Sequence, residues 1–368
     1  MEDMFRFGDE LGPAKVLSIF LQEAGLKAVV AVDNTACGPA IGGARMAPDV
    51  SAEEACRLAR AMTLKNAAAE LPHGGGKSVI FADPKMPSGD KEQLVRAFAA
   101  SLASLTEYIP GPDMGTDELA MGWVHDEIGR AVGLPRELGG IPLDELGATG
   151  FGLAAAIDVA SKAIRLELKG ARVAIQGFGA VGKHTARFLA QKGCVLVACS
   201  DSRGTLVSAV GLDVAALVSL KNSGKSVIDS PQGQKAGTEA ILDVPCEIWI
   251  PAARPDVLTR ENAGRLKARI VAQGANIPCT AEAEALLEAQ GVLVLPDFVV
   301  NAGGVICAAV EYHGGTESTA FATIEEKIRR NTALVIEQSR RAGTSMRAAA
   351  VALATARVRN AQRTRRWK

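Results

Sequence analysis

The sequence predicts an α/β protein of two domains separated by a cleft, the second of Rossmann type. Three observations predict it. The chain has 368 residues, more than one domain usually holds. From about residue 145, short β-branched runs alternate with helical stretches, the pattern of a parallel sheet covered on both faces. One such run, ARVAIQ (171–176), leads directly into GFGAVG and then into a helical run.

The elements follow in order. Residues 13–24 have helical periodicity, and KAVVAVD (27–33) reads as a strand. NTACGPAIGGARM reads as a loop and a second strand. Ser51 and Glu54 form an S-x-x-E capping box that opens a helix running towards Ala68, with Lys65 in its last turn. A glycine loop, Gly74 to Gly76, then carries Lys77 into the strand SVIFAD (78–83). Helices are expected at about 89–105 and 116–131, with IPGPDMGT as the loop between them. The runs 171–176, 194–200, 246–253, 268–275 and 292–297 are the later strands, and two long amphipathic helices follow from about residue 322. The domains are expected at 1–133 and 134–341, with the last helix, about 342–368, packing back onto the first.

Composition narrows the partners. Hydrophobic residues make up 48% and charged residues 22%, ordinary values for a chain with a substantial core. The 41 Lys plus Arg balance the 41 Asp plus Glu, so neither nucleic acid nor an anionic membrane is indicated. The basic end RNAQRTRRWK reads as a solvated helix terminus. No run is long and apolar enough to span a membrane. The acidic start MEDMFRFGDE lacks the form of a secretory signal, and the seven scattered cysteines form no CxxC pair, so a cytoplasmic protein with reduced thiols is expected. The four histidines, at 73, 125, 184 and 313, lack metal-site spacing, and no metal is expected.

Gly177, Gly179 and Gly182 occupy the G-x-G-x-x-G positions after a strand and at the start of a helix. That arrangement suits a dinucleotide: a tight turn, close backbone approach to a pyrophosphate, and a helix N-terminus that attracts the anion. Asp201, 19 residues after Gly182, stands where an acid accepts hydrogen bonds from ribose hydroxyls, which favours NAD. Ser202 and Arg203 beside it would suit the 2′-phosphate of NADP, the alternative coenzyme.

Lys65 and Lys77 lie among small, apolar and glycine residues. One ammonium in such a place suits a carboxylate, and the other, desolvated and repelled by the first, would have its pKa lowered enough to serve as a general base. Asp113, between proline and glycine in PGPDMGT, is either a fixed proton carrier for such a pair or an ordinary turn or N-cap residue.

The segments GPAIGGARM, ARAMTLKNAAAELPHGGGKSVI, PGPDMGT, ATGFG, GFGAVG, QGANIP and LPDFVVNAGGV, in that order from about 30 to 312, resemble the glutamate/leucine/phenylalanine/valine dehydrogenase family. The resemblance implies an N-terminal substrate-binding and oligomerisation domain and a dinucleotide-binding domain. It also implies reversible NAD(P)-dependent oxidative deamination of an L-amino acid to its 2-oxo acid and ammonia by a homo-oligomer. Lys65 then binds the substrate α-carboxylate, Lys77 activates water, and Asp113 shuttles the amine proton. Gly42, Gly43, Ile41, His73, Val305 and Ala308 take substrate-side positions. Thr149, Ala180, Val181, Ala252, Ala253, Gln273, Gly274, Ala275, Asn276 and Asn301 join the glycine turn as coenzyme positions.

Two departures bear on the substrate. Glutamate enzymes of the family carry a lysine where Ile41 stands and a serine where Ala308 stands, each a partner for a distal carboxylate. An apolar side chain of leucine, valine or phenylalanine type is therefore expected. The alternatives are a glutamate dehydrogenase with an altered pocket and a non-catalytic regulatory subunit. An amine dehydrogenase would leave Lys65 without a carboxylate to bind.

Overall fold

The computed structural model describes residues 5–364; the first four residues of the acidic start and the last four of the basic end lie outside the described residues. The chain forms two compact units. One comprises Met1–Pro142, Val305–Ala320 and Val351–Lys368, the other Leu143–Gly304 and Phe321–Ala350.

The first unit is built on a five-stranded mixed sheet of β1 (Lys15–Leu21), β2 (Leu26–Asn34), β3 (Ala40–Ala47), β4 (Gly74–Phe81) and β5 (Tyr108–Pro112), in the order β1-β2-β4-β3-β5. Pairing is antiparallel from β1 to β4 and parallel from β4 through β3 to β5. Helices α2 (Ser88–Ser101) and α3 (Glu118–Ile128) cover one face over Val30, Val32, Met46 and Ile80. Helix α1 (Ala52–Ala68) covers the other over Val29, Ala31 and Val79. Each central strand thus buries both sets of its alternating side chains, which is why β2 reads as a continuous apolar run.

Three expectations change here. Residues 13–24 hold a strand rather than a helix: β1 pairs with β2 along its whole length, from Lys15 opposite Val32 to Leu21 opposite Leu26. A short apolar run carries both periodicities, and pairing decides between them. Gly74, Gly75 and Gly76 belong to β4 rather than to a loop. A Cβ on Gly75 would lie 2.0 Å from the Thr63 amide nitrogen of α1, so the glycine lets helix and strand meet. PGP is not loop but the end of β5, hydrogen-bonded beside β3.

The second unit opens with α4 (Leu143–Leu146) and α5 (Ala148–Ala163), and its seven-stranded sheet contains β6 (Arg172–Gln176), β7 (Val195–Asp201), β8 (Gly204–Val207), β9 (Gln234–Ala236), β10 (Ile248–Pro251), β11 (Ile270–Ala272) and β12 (Leu293–Leu295). The order is β12-β11-β10-β6-β7-β8-β9, parallel from β12 to β7 and antiparallel beyond. The antiparallel edge was not expected, because GTLV and QKA are too short to stand out as strands. Helices α6 (Ala180–Gln191), α7 (Val214–Asn222), α8 (Ala281–Ala289) and α9 (Asp297–Val300) complete this unit. Helices α10 (Gly303–Tyr312), α11 (Glu317–Ala342) and α12 (Met346–Thr364) each contribute residues to both units. Strand order reverses between β6 and β10, which places a ligand crevice at their carboxyl ends.

Candidate active site

In the first unit, three neighbouring elements bring charged groups together on the α1 face of the sheet. Lys77 is carried by β4 and Arg45 by β3, and Asp113 follows the last residue of β5. The Lys77 ammonium meets Asp113 Oδ2, while Arg45 Nε and Nη2 each lie 3.3 Å from Asp113 Oδ1. Arg45 also donates to Glu54 of α1. Asp113 is further fixed by the Met114 amide, which donates to Oδ1 at 2.6 Å, and by its own amide, which donates to Thr116 Oγ1 at 3.0 Å. The N-cap of α3 is Asp117, not Asp113, so the N-cap alternative does not apply; Asp113 does open a turn, with the Thr116 amide donating to its carbonyl at 2.9 Å.

Ile41, Gly43 and Arg45 alternate along β3 and therefore share a face. A Cβ on Gly43 would lie 2.8 Å from Asp113 Oδ2, so only glycine leaves this carboxylate open. Lys65, on the last turn of α1, acts on Lys77 as a neighbouring positive charge. Burial, then the charges of Arg45 and Lys65, push the Lys77 amine down to about 7, with the Glu54 carboxylate opposing.

Arg45 and Glu54 were missing from the expected site. The S-x-x-E box drew Glu54 into a capping role, and Ser51 does accept from the Glu54 amide at 3.0 Å. The Glu54 carboxylate instead holds Arg45. The signal that could have found them is an arginine two residues beyond GG on a buried strand, since a cation there needs an acid.

His73 is buried, at 1% exposure. Its Nδ1 lies 3.1 Å from Pro39 O and its Nε2 3.0 Å from Nε2 of His313, on the segment after α10. A carbonyl only accepts, so Nδ1 carries the hydrogen, Nε2 of His73 accepts, and Nε2 of His313 donates. Both ring nitrogens of His73 are thus engaged within the protein. Burial holds its pKa down at about 4. Val305 and Ala308 lie on the first turns of α10, with Ala308 buried.

The second unit carries the dinucleotide positions at the carboxyl ends of β6, β10 and β11. Gly177, at φ 89°, lets the turn pass so close to Ala252 and Ala253 that a Cβ there would lie 2.7 Å from the Ala253 nitrogen. Gly182 is buried against this turn, while Gly179 is the N-cap of α6 and Ala180 and Val181 begin the helix. No side chain caps that N-terminus, leaving its first-turn amides for an anion. Gly274 meets Ala252 and Val181, and Thr149 on α5 meets Gly304. Asn301 Nδ2 spans Ala275 O at 3.2 Å and Asn276 Oδ1 at 3.0 Å, and its Oδ1 is buried without a partner, as is Gln176 Oε1. Open helix amides and orphaned acceptors fit the pyrophosphate and the amide or hydroxyl donors of a pyridine nucleotide.

Asp201 answers differently from its expected role. Its oxygens already accept from Ser226 Oγ at 2.7 Å, the Arg203 amide at 3.0 Å, Lys221 Nζ at 2.9 Å and the Val227 amide at 2.9 Å. A carboxylate offers about four acceptor sites, so ribose hydroxyls would have to displace one of these donors. Arg203 is paired with Asp229 at 2.8 Å, and Ser202 is exposed in the turn. Gln273 is fully buried, its side chain between Glu284 and Arg347, and only its backbone faces the loop. Among the described residues, no group of three or more metal-ligating side chains is placed to hold an ion, and no helix is long and apolar enough to cross a membrane.

A buried lysine paired with a half-buried aspartate on one α/β unit, and a glycine turn at the switch point of another, define a pyridine-nucleotide dehydrogenase of two units. The family model for glutamate/leucine/phenylalanine/valine dehydrogenase matches residues 139–366, and that for the family's dimerisation domain matches residues 14–130. The chain belongs to this family, and it is an NAD(P)-dependent amino acid dehydrogenase. It is 39% identical over 357 residues to a glutamate dehydrogenase of Aeropyrum pernix, covering 91% of this chain and 85% of that relative. A hetero-hexameric glutamate dehydrogenase of Thermus thermophilus, solved in a leucine-bound form, superposes with a TM-score of 0.85 at 31% identity, over 97% of this chain and 91% of that one. An L-tryptophan dehydrogenase of Nostoc punctiforme superposes with a TM-score of 0.76 at 28% identity, over 96% and 98%.

Proposed function

We propose that the chain oxidises an L-amino acid with an apolar side chain, of leucine, valine or phenylalanine type, to its 2-oxo acid and ammonia, reversibly. The observation that carries the site assignment is the Lys77–Asp113 pair beside Lys65 and Arg45 on a glycine-lined face. The apolar preference rests on Ile41 and Ala308, both buried. Neither offers a charge or hydrogen bond to a distal carboxylate, and burying one unpaired costs several kcal/mol.

NAD(P), when bound, supplies the hydride acceptor for the substrate Cα. Gly177, Gly179 and the first turn of α6 would hold its pyrophosphate, and Asn301 its nicotinamide side. The chain's own residues do the rest. Lys65 pairs with the substrate α-carboxylate, fixing Cα and the amine. Asp113 takes a proton from the substrate ammonium, which leaves a neutral amine able to become an iminium as the hydride departs. Lys77 as a neutral amine takes a proton from water as the water oxygen attacks the iminium carbon. The resulting carbinolamine collapses when Asp113 returns a proton to nitrogen: the C–N bond breaks as the C=O bond forms. The departing ammonia takes up the hydroxyl proton and leaves as ammonium, and Lys77 releases the proton it took from water to solvent. The balance is one amino acid, one oxidised coenzyme and one water to one 2-oxo acid, one ammonium, one reduced coenzyme and one proton.

The test is a spectrophotometric panel of the twenty amino acids with NAD and NADP separately. The expected result is a kcat/KM for leucine, valine or phenylalanine at least about tenfold above that for glutamate, since every 1.4 kcal/mol is a factor of ten. Preference for glutamate would overturn the apolar reading. That second reading is favoured by the glutamate dehydrogenase among the similar proteins. Coenzyme binding without turnover on any amino acid would leave the regulatory-subunit reading.

The pH profile follows from Lys77. A base held at about 7, against an ordinary lysine at 10.5, is neutral in most molecules at pH 8. On the acid side kcat should fall about tenfold per pH unit below about 7 and level off above it. An acid limb centred above pH 9 would show that Lys77 is not the base.

The assembly expected is a homo-oligomer, with β1 as a contact strand. Leu17 and Ile19 pack inward, whereas Val16 is 42% and Phe20 65% exposed on the free edge of the sheet. An exposed apolar edge strand is a template for pairing with another chain. Phe20→Glu should shift the species seen by light scattering to a smaller one, and an unchanged mass would exclude this edge. The seven free cysteines fit a reducing compartment such as the cytoplasm.

A further inference from the structure

Ile277, directly after the Gln273–Asn276 loop, has φ 49°, in the left-handed region that a β-branched residue rarely enters. Its side chain is 47% exposed, so burial does little to hold it there. A backbone outlier of this kind persists only where its surroundings over-determine it. Here the surroundings are polar. The Ile277 amide donates to Asp297 Oδ2 at 2.8 Å, and Asp297, buried at the start of α9, accepts on Oδ1 from Arg347 Nη2 at 2.8 Å.

The same arginine, on α12, reaches the other end of the loop. Its Nη2 donates to Gln273 Oε1 at 3.1 Å and to Glu284 Oε1 at 2.7 Å, while Gln273 Nε2 donates to Glu284 Oε1 at 2.6 Å. One guanidinium therefore ties residue 273 and, through Asp297, residue 277. Between these ends stand Gly274, which meets Ala252 and Val181 of the glycine turn, and Ala275 and Asn276, which Asn301 holds from the other side.

We propose that Arg347 and Asp297 form a clamp that keeps Ile277, at the end of the loop 273–277, in its left-handed, strained form and so presents Gly274 to Asn276 to the coenzyme. They are positioning residues: neither needs to touch the coenzyme, and both act through the loop. The proposal rests on the coenzyme reading given above. A planar fork is required, because Nε holds Glu284 Oε2 at 2.8 Å while Nη2 serves Gln273, Glu284 and Asp297, and a single ammonium cannot occupy both positions.

The test uses the full-length enzyme and NADH or NADPH fluorescence titration, with a thermal melt to confirm folding. Arg347→Lys keeps the charge between the two buried acids but loses the fork. The dissociation constant should rise on the order of tenfold, as a misplaced positioning group does, while the amino acid KM at saturating coenzyme stays within about twofold of the unmodified enzyme. Adding Ile277→Gly should return the dissociation constant to within about threefold, because glycine enters the left-handed region without needing a clamp. A general structural role for Arg347 would show no such rescue. Coenzyme affinity unchanged in Arg347→Lys, a parallel rise in amino acid KM, or the absence of rescue in a folded double variant would each overturn the clamp. If Arg347→Lys does not fold, Asp297→Asn with and without Ile277→Gly makes the same comparison and is read the same way. Failure of the unmodified enzyme to bind either coenzyme would instead sink the coenzyme reading itself, and the clamp with it.

Discussion

Lys77→Ala is expected to lower kcat by about 10³-fold or more while NADH binding and the melting temperature are retained. General-base assistance contributes typically about 10²–10⁴-fold, and the site offers one amine poised for it. Its burial on β4, with the positive charges of Arg45 and Lys65 nearby, is what makes a lysine basic near neutrality rather than simply cationic. Asp113 keeps Arg45 and the Met114 amide as partners when Lys77 is removed, so no buried charge is stranded and the fold should be retained. A variant retaining more than about a tenth of kcat would refute the role of Lys77.

The second large effect is expected at Asp113. Asp113→Asn keeps the shape of the side chain and its turn, but loses the charge that Lys77 and two nitrogens of Arg45 address. It also loses the capacity to take and return the amine proton. A fall in kcat of about 10²–10⁴-fold is expected, with KM for the amino acid changed far less, because the proposed mechanism gives the α-carboxylate to Lys65. The contrasting variant is Lys65→Ala, whose defect should fall mainly on KM. If both variants raised KM alone, Asp113 would be a binding group and the proton route would have to run elsewhere.

How much of this was legible before folding depends on what each residue's neighbours say. Lys65 and Lys77 were legible because two cations in an apolar, glycine-rich segment contradict local expectation, and such contradictions mark functional sites. The glycine turn after β6 was legible because the motif sits between a strand and a helix. Arg45 was not, because its partners lie nine and 68 residues away in the chain, on α1 and beyond β5. Glu54 was misread because its local pattern has a sufficient local explanation, the cap of α1. Asp201 was read from its position at a strand end, whereas three of its four donors come from segments that only the folded sheet edge brings near. The strand at 15–21 was lost because seven residues satisfy either period, and only β2 alongside selects one.

By itself, then, the sequence determined the α/β class and the family, and it pointed to the lysine pair with Asp113 and to the glycine turn as the proposed site. Those features depend on residue type and spacing within short segments. The tertiary structure alone decided that Arg45 and Glu54 brace Asp113, that His73 is spent on Pro39 and His313, and that Arg347 ties both ends of the loop before Ile277. The reason is physical: a buried charge or a strained backbone is held by partners in space, and those partners are chosen by packing across strands and helices that sequence distance does not reveal.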